Sequence, residues 1–423
     1  MRKAFLRLVF STPERVWIAV ALGLRLAFAL KVGDRFHQID EVGFDAPAWL
    51  LATTGSFRVD GQTLVVPPVP NAFFAFFYWL FGRHMLYPRL AQAAVSAGTA
   101  WVLGRMTGTL TGSCRAGRLA LVTAAVYPFF IYYSGMLLSE SLYIAASTLG
   151  LWWLCQSLQE RGACRWRAPA SGLALALAAL CRAEGAPIAA LIWLGAMLPC
   201  LMGRWPWRTW LTAVLMWVMP LLAWSGRNQA AVGSFALDNH GGMAMLHGNL
   251  LFDLNEIDTA MAQAELEQIP FYRESLHLSP PLRDRIYIRE SLRFIRANPG
   301  KVLRQWAEKF VNFWRFYPRT DKAYHETRHS HPGAGLSRTA LVIISLAFEP
   351  ALILGGLWGF WVLRRRWSEL FPCALFTLGT MLIHVVSVSQ MRYRLPVMPV
   401  LILGATAWTA ALFKQDCRPE DRA

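Results

Sequence analysis

The residues of this chain best suited to chemistry are acids and arginines beside apolar segments. Asp40 and Glu41 directly follow the first long apolar stretch. Charge next to a bilayer is costly, so a carboxylate pair there is usually retained for chemistry or ion handling. The pair could supply a general base or hold a metal ion. First-turn acids that stabilise a helix N-terminus would explain it equally well.

A third acid, Glu140, opens another apolar stretch directly after Ser139. An N-cap serine followed by a first-turn acid is the simpler explanation. With the arginine-rich loops on the inner face, Glu140 lies on the same membrane face as Asp40, so the two could share one cavity. Arg182 and Glu184 lie between two apolar stretches, and we expect them to pair with each other.

Near the C-terminus, Arg392, Tyr393 and Arg394 lie between the last two apolar stretches, on the outer side. Basic residues normally mark the inner face of a membrane protein, so topology does not explain these two arginines. An arginine fork suits a phosphate group, and we predict a phosphate site here. Snorkelling of the side chains to the interface is the alternative.

A further group of polar and glycine residues lies near the start of a long charged segment. Paired glycines allow a backbone to approach a ligand closely, but they also form ordinary turns. These candidates are Arg227, Asn228, Gly241, Gly242 and Asn249.

Hydropathy determines the fold class. The chain has 423 residues, of which 55% are hydrophobic. We predict an all-α, polytopic membrane protein of about ten transmembrane helices, because the apolar runs approach the length of a span. The runs cover residues 16–32, 85–103, 118–134, 140–158, 169–181, 186–202, 209–226, 336–363, 370–388 and 395–413.

The formal net charge of +16 reflects topology and not nucleic-acid binding. The basic residues cluster in short connections between apolar runs, as the positive-inside rule requires. Membrane lipid is therefore the expected partner of this charge, and nucleic acid is not. None of the seven cysteines lies in the long outer segment, which argues against a disulfide framework.

The loop charges predict three regions. Residues 1–226 form an N-terminal membrane module whose first outer loop, 33–84, carries the acid pair. An aromatic run within it, at 68–82, is short for a span and is expected to lie along the interface. Residues 227–335 form a mostly helical outer segment, in which apolar spacing predicts helices at 257–269, 282–297 and 300–316. Residues 336–423 form the last spans and a cytoplasmic tail.

Several chemistries lack support. There is no GxxxxGK[ST], HExxH or GxSxG motif for nucleotide hydrolysis, zinc proteolysis or serine-hydrolase chemistry. His325, His329 and His331 have a spacing that could hold a metal ion, but a charged surface loop explains them more simply.

Taken together, the motifs resemble the integral-membrane GT-C glycosyltransferases. The likeness is to family 39 and its bacterial relatives, which include protein mannosyltransferases, the lipid A aminoarabinose transferase and lipopolysaccharide sugar transferases. It covers nearly the whole chain in order. The matching residues are Asp40-Glu41, Pro67-Pro68, Phe81-Gly82, Ser139-Glu140, Arg182, Glu184-Gly185, Arg227-Asn228, Gly241-Gly242, Gly248-Asn249, Arg392-Tyr393 and Pro396.

The resemblance implies an inverting sugar transferase on the outer face of a bacterial inner membrane. Asp40 would be the catalytic base, Glu140 a second acid, and Arg392 with Arg394 the site for the donor phosphate. The donor would be a polyprenyl-phosphate sugar whose tail lies against residues 73–79, and the acceptor a lipid, glycan or protein. Some relatives use a divalent metal and others do not, so that cofactor stays open.

The chain departs from the family pattern at two places. Phe44 replaces a tyrosine that often follows the acid pair, and Val69-Pro70 replaces a tyrosine after the proline pair. The sugar and the acceptor therefore stay undetermined. A lipid-linked sugar flippase is the alternative function, although transporters commonly contain internal repeats and this sequence has none. A non-catalytic scaffold would not explain charges gathered on one face.

Overall fold

The computed structural model describes residues 9–59, 62–252, 266–317 and 338–412. These residues are almost entirely helical, which confirms the prediction of an all-α protein. The exception is a small antiparallel ladder between Arg58–Val59 and Gln62–Thr63.

Helices run from one end of the described chain to the other. The first nine are α1 (Glu14–Val32), α2 (Val42–Thr54), α3 (Pro68–Phe81), α4 (Leu86–Thr111), α5 (Cys114–Val126), α6 (Pro128–Ser134), α7 (Glu140–Gln159), α8 (Arg167–Cys181) and α9 (Gly185–Leu201). The remainder are α10 (Trp207–Val232), α11 (Gly241–Gly248), α12 (Pro270–Ser275), α13 (Pro280–Ala297), α14 (Pro299–Trp314), α15 (Arg338–Val362), α16 (Trp367–Val386) and α17 (Met398–Ala411). Short 3₁₀ turns cover Ile39–Glu41, Leu363–Arg366 and Met391–Val397.

Every apolar stretch of the sequence is helical where it is described, but the number of spans is not settled by length and composition. Among the described residues, three helical segments are long and apolar enough to cross a membrane. The helices α5 and α6, which are bent by 54° relative to each other, could together form a fourth span. The three segments are Trp207–Val232, Thr339–Val386 and Met391–Ala411. The total of about ten spans therefore stays a prediction.

The bend between α5 and α6 has a local cause. Pro128 has no N–H, so it cannot bond the carbonyl of Ala124 as a continuing helix would. Arg25 of α1, which is fully buried, donates to that carbonyl at 2.8 Å and to the carbonyl of Ala125 at 2.9 Å. Its guanidinium thus satisfies the acceptors that the proline leaves open.

The short helices after α1 form one unit. Asp45 of α2 is buried and accepts hydrogen bonds from Tyr78 of α3 (2.6 Å) and Arg83 (2.5 Å). Phe76 and Trp79 on the opposite side of α3 are exposed. An exposed aromatic face on a helix of 14 residues fits the predicted interfacial position.

The packing of the longer helices brings several helix ends together. Helix α8 packs between α7 and α10, α9 packs on α16, and α14 contacts both α16 and the turn Met391–Val397. The predicted outer helices at 282–297 and 300–316 correspond to α13 and α14, which start at prolines. Most of the stretch predicted as a helix at 257–269 lies outside the described residues.

Candidate active site

A cavity of about 990 Å³ opens where these helix ends meet. Its volume is at the upper end of the usual range for small-molecule sites. The floor is made by the turn that carries Asp40, by the start of α7, by the break between α8 and α9, and by the turn Met391–Val397. Residues before α3, residues 382–388 and the N-terminal part of α11 form the walls.

Asp40 and Arg392 meet on the cavity floor although they are 352 residues apart in sequence. Arg392 Nη1 donates to Asp40 Oδ2 at 2.5 Å, and Nη2 donates to the hydroxyl of Tyr393 at 3.2 Å. The Asp40 side chain is 37% exposed, whereas that of Arg392 is 13% exposed. The carboxylate is therefore accessible to a second molecule while the guanidinium holds one of its oxygens.

The neighbouring acid, Glu41, is in a different environment. Its side chain is fully buried and pairs with Arg89 at 2.7 Å. Its oxygens also accept from three backbone N–H groups, those of His37 (2.7 Å), Gln38 (2.9 Å) and Leu137 (2.9 Å). Glu41 does not line the cavity. It fixes the turn on which Asp40 is carried.

Glu140, Arg182 and Glu184 form a chain of charges along the cavity. Arg182 Nη1 lies 3.2 Å from Glu140 Oε1, and Arg182 Nε donates to Glu184 Oε1 at 2.8 Å. The expected pairing of Arg182 with Glu184 is thus present, and it extends to Glu140. Helix α7 begins at Glu140, so Ser139 is at the N-cap position and Glu140 is in the first turn, but the Ser139 side chain makes no cap hydrogen bond.

His384, at the end of α16, also belongs to this group, and sequence analysis missed it. Its Nε2 lies 3.5 Å from Glu184 Oε1, and its Nδ1 donates to the carbonyl of Val388 at 3.0 Å. The imidazole is parallel to the Tyr393 ring, with centroids 4.4 Å apart. The Arg182 guanidinium lies over the same tyrosine, 5.5 Å from its centroid. Tyr393 is therefore held as part of the floor.

The second arginine of the predicted phosphate site lies elsewhere. Arg394 does not line the cavity and is almost completely buried. It pairs with Glu349 of α15 at 2.6 Å and donates to the carbonyls of Phe313 and Arg315. Glu349 is an acid within an apolar stretch and also accepts from Tyr127. Such an acid is a detectable signal that the sequence analysis overlooked.

Of the remaining residues that the sequence predicted for the site, some line the cavity and others pack behind it. Pro67 lines the cavity, and Pro68 begins α3 beside it. Arg227 stacks on Trp224 at 4.9 Å and bonds the side chain of Asn228 at 2.9 Å. Neither Arg227 nor Asn228 lines the cavity.

Of the glycine-rich stretch, Gly241 lines the cavity and the others pack behind it. The N–H of Gly242 donates to Asp284 of α13 at 2.6 Å. A Cβ on Gly248 would lie 1.9 Å from the carbonyl oxygen of Ser387, so only glycine allows α11 to approach this wall.

Asn249 and Lys309 fasten the outer helices to the same wall. Asn249 Nδ2 donates to the carbonyl of Val386 at 2.9 Å. Lys309 of α14 is buried, and its Nζ donates at 2.9 Å to the carbonyls of Gly248 and Ser387. Burial lowers the pKa of Lys309 to about 7. A lysine within an amphipathic, charged helix gave no signal in the sequence.

Among the described residues, no cluster of three or more His, Cys, Asp or Glu side chains has a geometry that could hold a metal ion. His325, His329 and His331 lie outside the described part of the chain.

Part of the chain is similar to a known protein family. A sequence family described as dolichyl-phosphate-mannose-protein mannosyltransferase matches residues 65–224. This match covers α3 to most of α10 and includes Glu140, Arg182 and Glu184. No curated protein sequence is significantly similar to the chain.

Solved structures of similar proteins are only distantly related. The archaeal oligosaccharyltransferase AglB from Archaeoglobus fulgidus, in complex with an inhibitory peptide and a dolichol-phosphate, is 12% identical with a TM-score of 0.49. The match covers 95% of this chain and 51% of AglB, so the chain spans about half of that protein. ArnT from Cupriavidus metallidurans, bound to undecaprenyl phosphate, is 15% identical with a TM-score of 0.43, over 93% of this chain and 77% of ArnT.

The family match thus covers the helices that supply one side of the cavity, and the chain is helical and rich in apolar segments. Residues 65–224, less than half of the chain, are therefore similar to this family of mannosyltransferases.

Proposed function

We propose that this protein transfers a sugar from a polyprenyl-phosphate donor to a lipid, glycan or protein acceptor, with inversion at the anomeric carbon. Asp40 is the general base and Arg392 binds the donor phosphate. Glu140 lies beside them in the same cavity. The single observation that carries the proposal is the pairing of Asp40 with Arg392 on the floor of a large cavity.

The pair supplies the two charges that such a transfer needs. The acceptor hydroxyl must lose a proton, and the leaving phosphate must be stabilised by a cation. Asp40 is partly exposed, so an acceptor can reach it, whereas Arg392 is mostly buried, where its charge is screened less by water. Glu41 and Arg394 support this proposal from outside the cavity by fixing the segments that carry the pair.

In the proposed reaction, the acceptor oxygen forms a bond to the anomeric carbon as its proton passes to Asp40. The bond between that carbon and the phosphate oxygen breaks, and its electron pair leaves with the polyprenyl phosphate. Arg392 stabilises the charge on the departing phosphate. Because attack and departure occur on opposite faces of the sugar, the configuration inverts, and the direct contact between Asp40 and Arg392 must open when the sugar binds between them.

The setting of the site is also part of the proposal. The polyprenyl tail lies along the aromatic side of α3, where Phe76 and Trp79 are exposed. The site faces the periplasm of a bacterial inner membrane, because the arginine-rich connections mark the opposite face. Within the predicted outer segment, residues 227–335, helices α11 and α13 line the cavity on that side.

The test is sugar transfer by the purified full-length protein with a panel of polyprenyl-phosphate sugars and membrane glycolipid as acceptor. Replacing Asp40 by Asn keeps the size and the hydrogen-bonding side chain but removes the base. We expect transfer to fall by about 10²–10⁴-fold. Donor binding, measured by displacement of a fluorescent undecaprenyl phosphate, should stay within a few-fold of wild type.

Asp34→Asn is the matched control, since Asp34 lies in the same outer connection, away from the cavity floor, and is 47% exposed. It should retain full transfer. Equal transfer by wild type and Asp40→Asn would move the base away from Asp40. Lipid-linked sugar that crosses a vesicle membrane unaltered, without any transfer, would favour a flippase instead.

A further inference from the structure

The charge inside the cavity has the opposite sign to that of the whole chain. Four carboxylates and two guanidinium groups line it, which leaves two negative charges in excess when its histidines are neutral. The chain as a whole carries a formal charge of +16. These lining residues are Asp40, Glu140, Glu184, Asp238, Arg182 and Arg392.

Both arginines of the cavity already have acidic partners. Arg182 contacts Glu140 and Glu184, and Arg392 contacts Asp40. In the proposed function Arg392 also meets the donor phosphate, which adds another negative charge. Among the described lining residues there is no lysine or third arginine to receive a further anion. A substrate carboxylate would therefore face uncompensated negative charge, which is costly in a buried site.

A second, independent observation concerns the side chain of Glu140. Its side chain is only 4% exposed, and Oε1 is held by Arg182 at 3.2 Å. The other oxygen, Oε2, is buried without a hydrogen-bond partner in the described part of the chain. A buried carboxylate oxygen normally accepts at least one hydrogen bond. Since Glu140 lines the cavity, the missing donor is expected from a molecule bound there.

The position of Glu140 indicates which part of a substrate it meets. Arg182 bonds Glu140 and lies over the Tyr393 ring, and the hydroxyl of Tyr393 contacts Arg392. A sugar joined directly to a phosphate on Arg392 would lie beside this tyrosine and within reach of Glu140. The lipid tail and the far end of an acceptor would extend away from it.

We infer that Glu140 selects the transferred sugar. Its Oε2 accepts a hydrogen bond from a hydroxyl or amino group of the sugar, and its own negative charge, which no additional cation of the cavity offsets, excludes sugars that carry a carboxylate, the uronic acids. This inference rests on the proposed function and names the sugar class that the same site accepts. Glu140 is therefore a specificity residue, whereas Asp40 performs the proton transfer.

The test uses matched pairs of undecaprenyl-phosphate sugars that differ only at one carbon: glucose with glucuronic acid, galactose with galacturonic acid, and mannose with mannuronic acid. Both binding, by displacement of fluorescent undecaprenyl phosphate, and transfer are measured with the full-length protein. We expect the neutral member of the preferred pair to bind about 100-fold more tightly than its uronic acid. Glu140→Gln should reduce this ratio by roughly tenfold or more.

Asp238→Asn is the matched control, because it removes the same charge from the cavity rim in the outer segment. It should leave the ratio within about threefold of wild type if contact with Glu140, and not the overall field, decides selection. Glu140→Asp keeps the charge but withdraws the oxygen, so it should weaken binding of the neutral sugar and still reject the uronic acid. If Glu140→Gln fails to fold, the Glu140→Asp variant tests the inference in its place.

Each outcome has a distinct meaning. Equal or tighter binding of uronic acids by wild type would overturn the inference, and so would an unchanged ratio in Glu140→Gln. Selective binding without transfer to any acceptor would defeat the proposed transferase function, while the selectivity of the cavity would stand. Failure to bind any sugar-phosphate lipid would overturn both.

Discussion

Two adjacent acids of this chain have different surroundings, and the difference arises from their contacts. Asp40 is accessible and pairs with one arginine. Glu41 is enclosed, accepts hydrogen bonds from three backbone N–H groups and pairs with Arg89. A carboxylate with every oxygen engaged is suited to holding a loop. One that is partly exposed can exchange a proton with a second molecule.

At this scale we predict that Glu41→Gln impairs folding more than chemistry. Removing one partner leaves the Arg89 guanidinium buried and unpaired, which typically costs about 3–5 kcal/mol in the free energy of unfolding. Thermal unfolding of the purified variant should show a clear decrease in midpoint. Asp40→Asn, one residue away, should unfold close to wild type. Unchanged stability of Glu41→Gln together with lost transfer would instead make Glu41 a reacting group.

The elements that shape the cavity depend on close packing behind its wall. Helix α11 contacts the segment after α16 through Gly248, where no side chain fits. Lys309 of α14 joins the same two segments by hydrogen bonds to carbonyls on each. These contacts attach the outer helices directly behind residues that line the cavity.

We predict that Gly248→Ala disrupts this attachment. The new Cβ would lie 1.9 Å from the Ser387 oxygen, so either the wall or α11 must move. Overpacking of this kind typically costs about 1–3 kcal/mol, and we expect a matching decrease in thermal stability and weaker donor binding. Gly300→Ala is the control, because nothing lies within 4 Å of its Cβ position. Equal effects in both variants would contradict the contact.

The lowered pKa of Lys309 predicts that the free energy of unfolding depends on pH. Burial lowers its pKa from 10.5 to about 7. Between these values the unfolded chain binds the proton and the folded protein does not, so raising the pH stabilises the folded state. Below about pH 7 both states are protonated and the effect is constant.

The measurement compares thermal unfolding of wild type and Lys309→Met from pH 6 to 9.5. The free energy of unfolding of wild type minus that of the variant should be constant below about pH 7. Above that pH, this difference should rise by at most about 1.4 kcal/mol per pH unit. A difference that is constant, or that falls above pH 7, would show that Lys309 keeps its proton in the folded protein.

At the scale of the whole molecule, the proposed function needs Asp40 and Arg392 on the face opposite the arginine-rich connections. We predict that, in a variant whose seven cysteines are replaced by serine, Thr53→Cys reacts with an impermeant maleimide in intact cells. Ala163→Cys should react only after permeabilisation. Both residues are exposed, so reactivity reports sidedness and not burial. The reverse pattern would place the candidate site at the cytoplasm and contradict the proposed periplasmic transfer.

The sequence by itself determined the helical membrane class and the residue types of the candidate site. Apolar runs and charged loops are short-range signals, and they correctly predicted α13, α14 and the short helices after α1. The sequence also indicated the segments that meet at the cavity: Asp40, Glu140, Arg182, Glu184, Arg392 and Gly241 all line it. The division into three regions and the total number of spans remain predictions.

Only the tertiary structure decided which member of each pair of similar residues faces the cavity. A hydropathy pattern does not distinguish Asp40 from Glu41, or Arg392 from Arg394. Their roles differ because Glu41 forms a buried ion pair with Arg89, 48 residues away, and Arg394 forms one with Glu349, 45 residues away. His384 and Lys309 gave no local signal for the same reason. A side chain's chemistry depends on partners from distant elements, and no periodicity along the chain records where those elements meet.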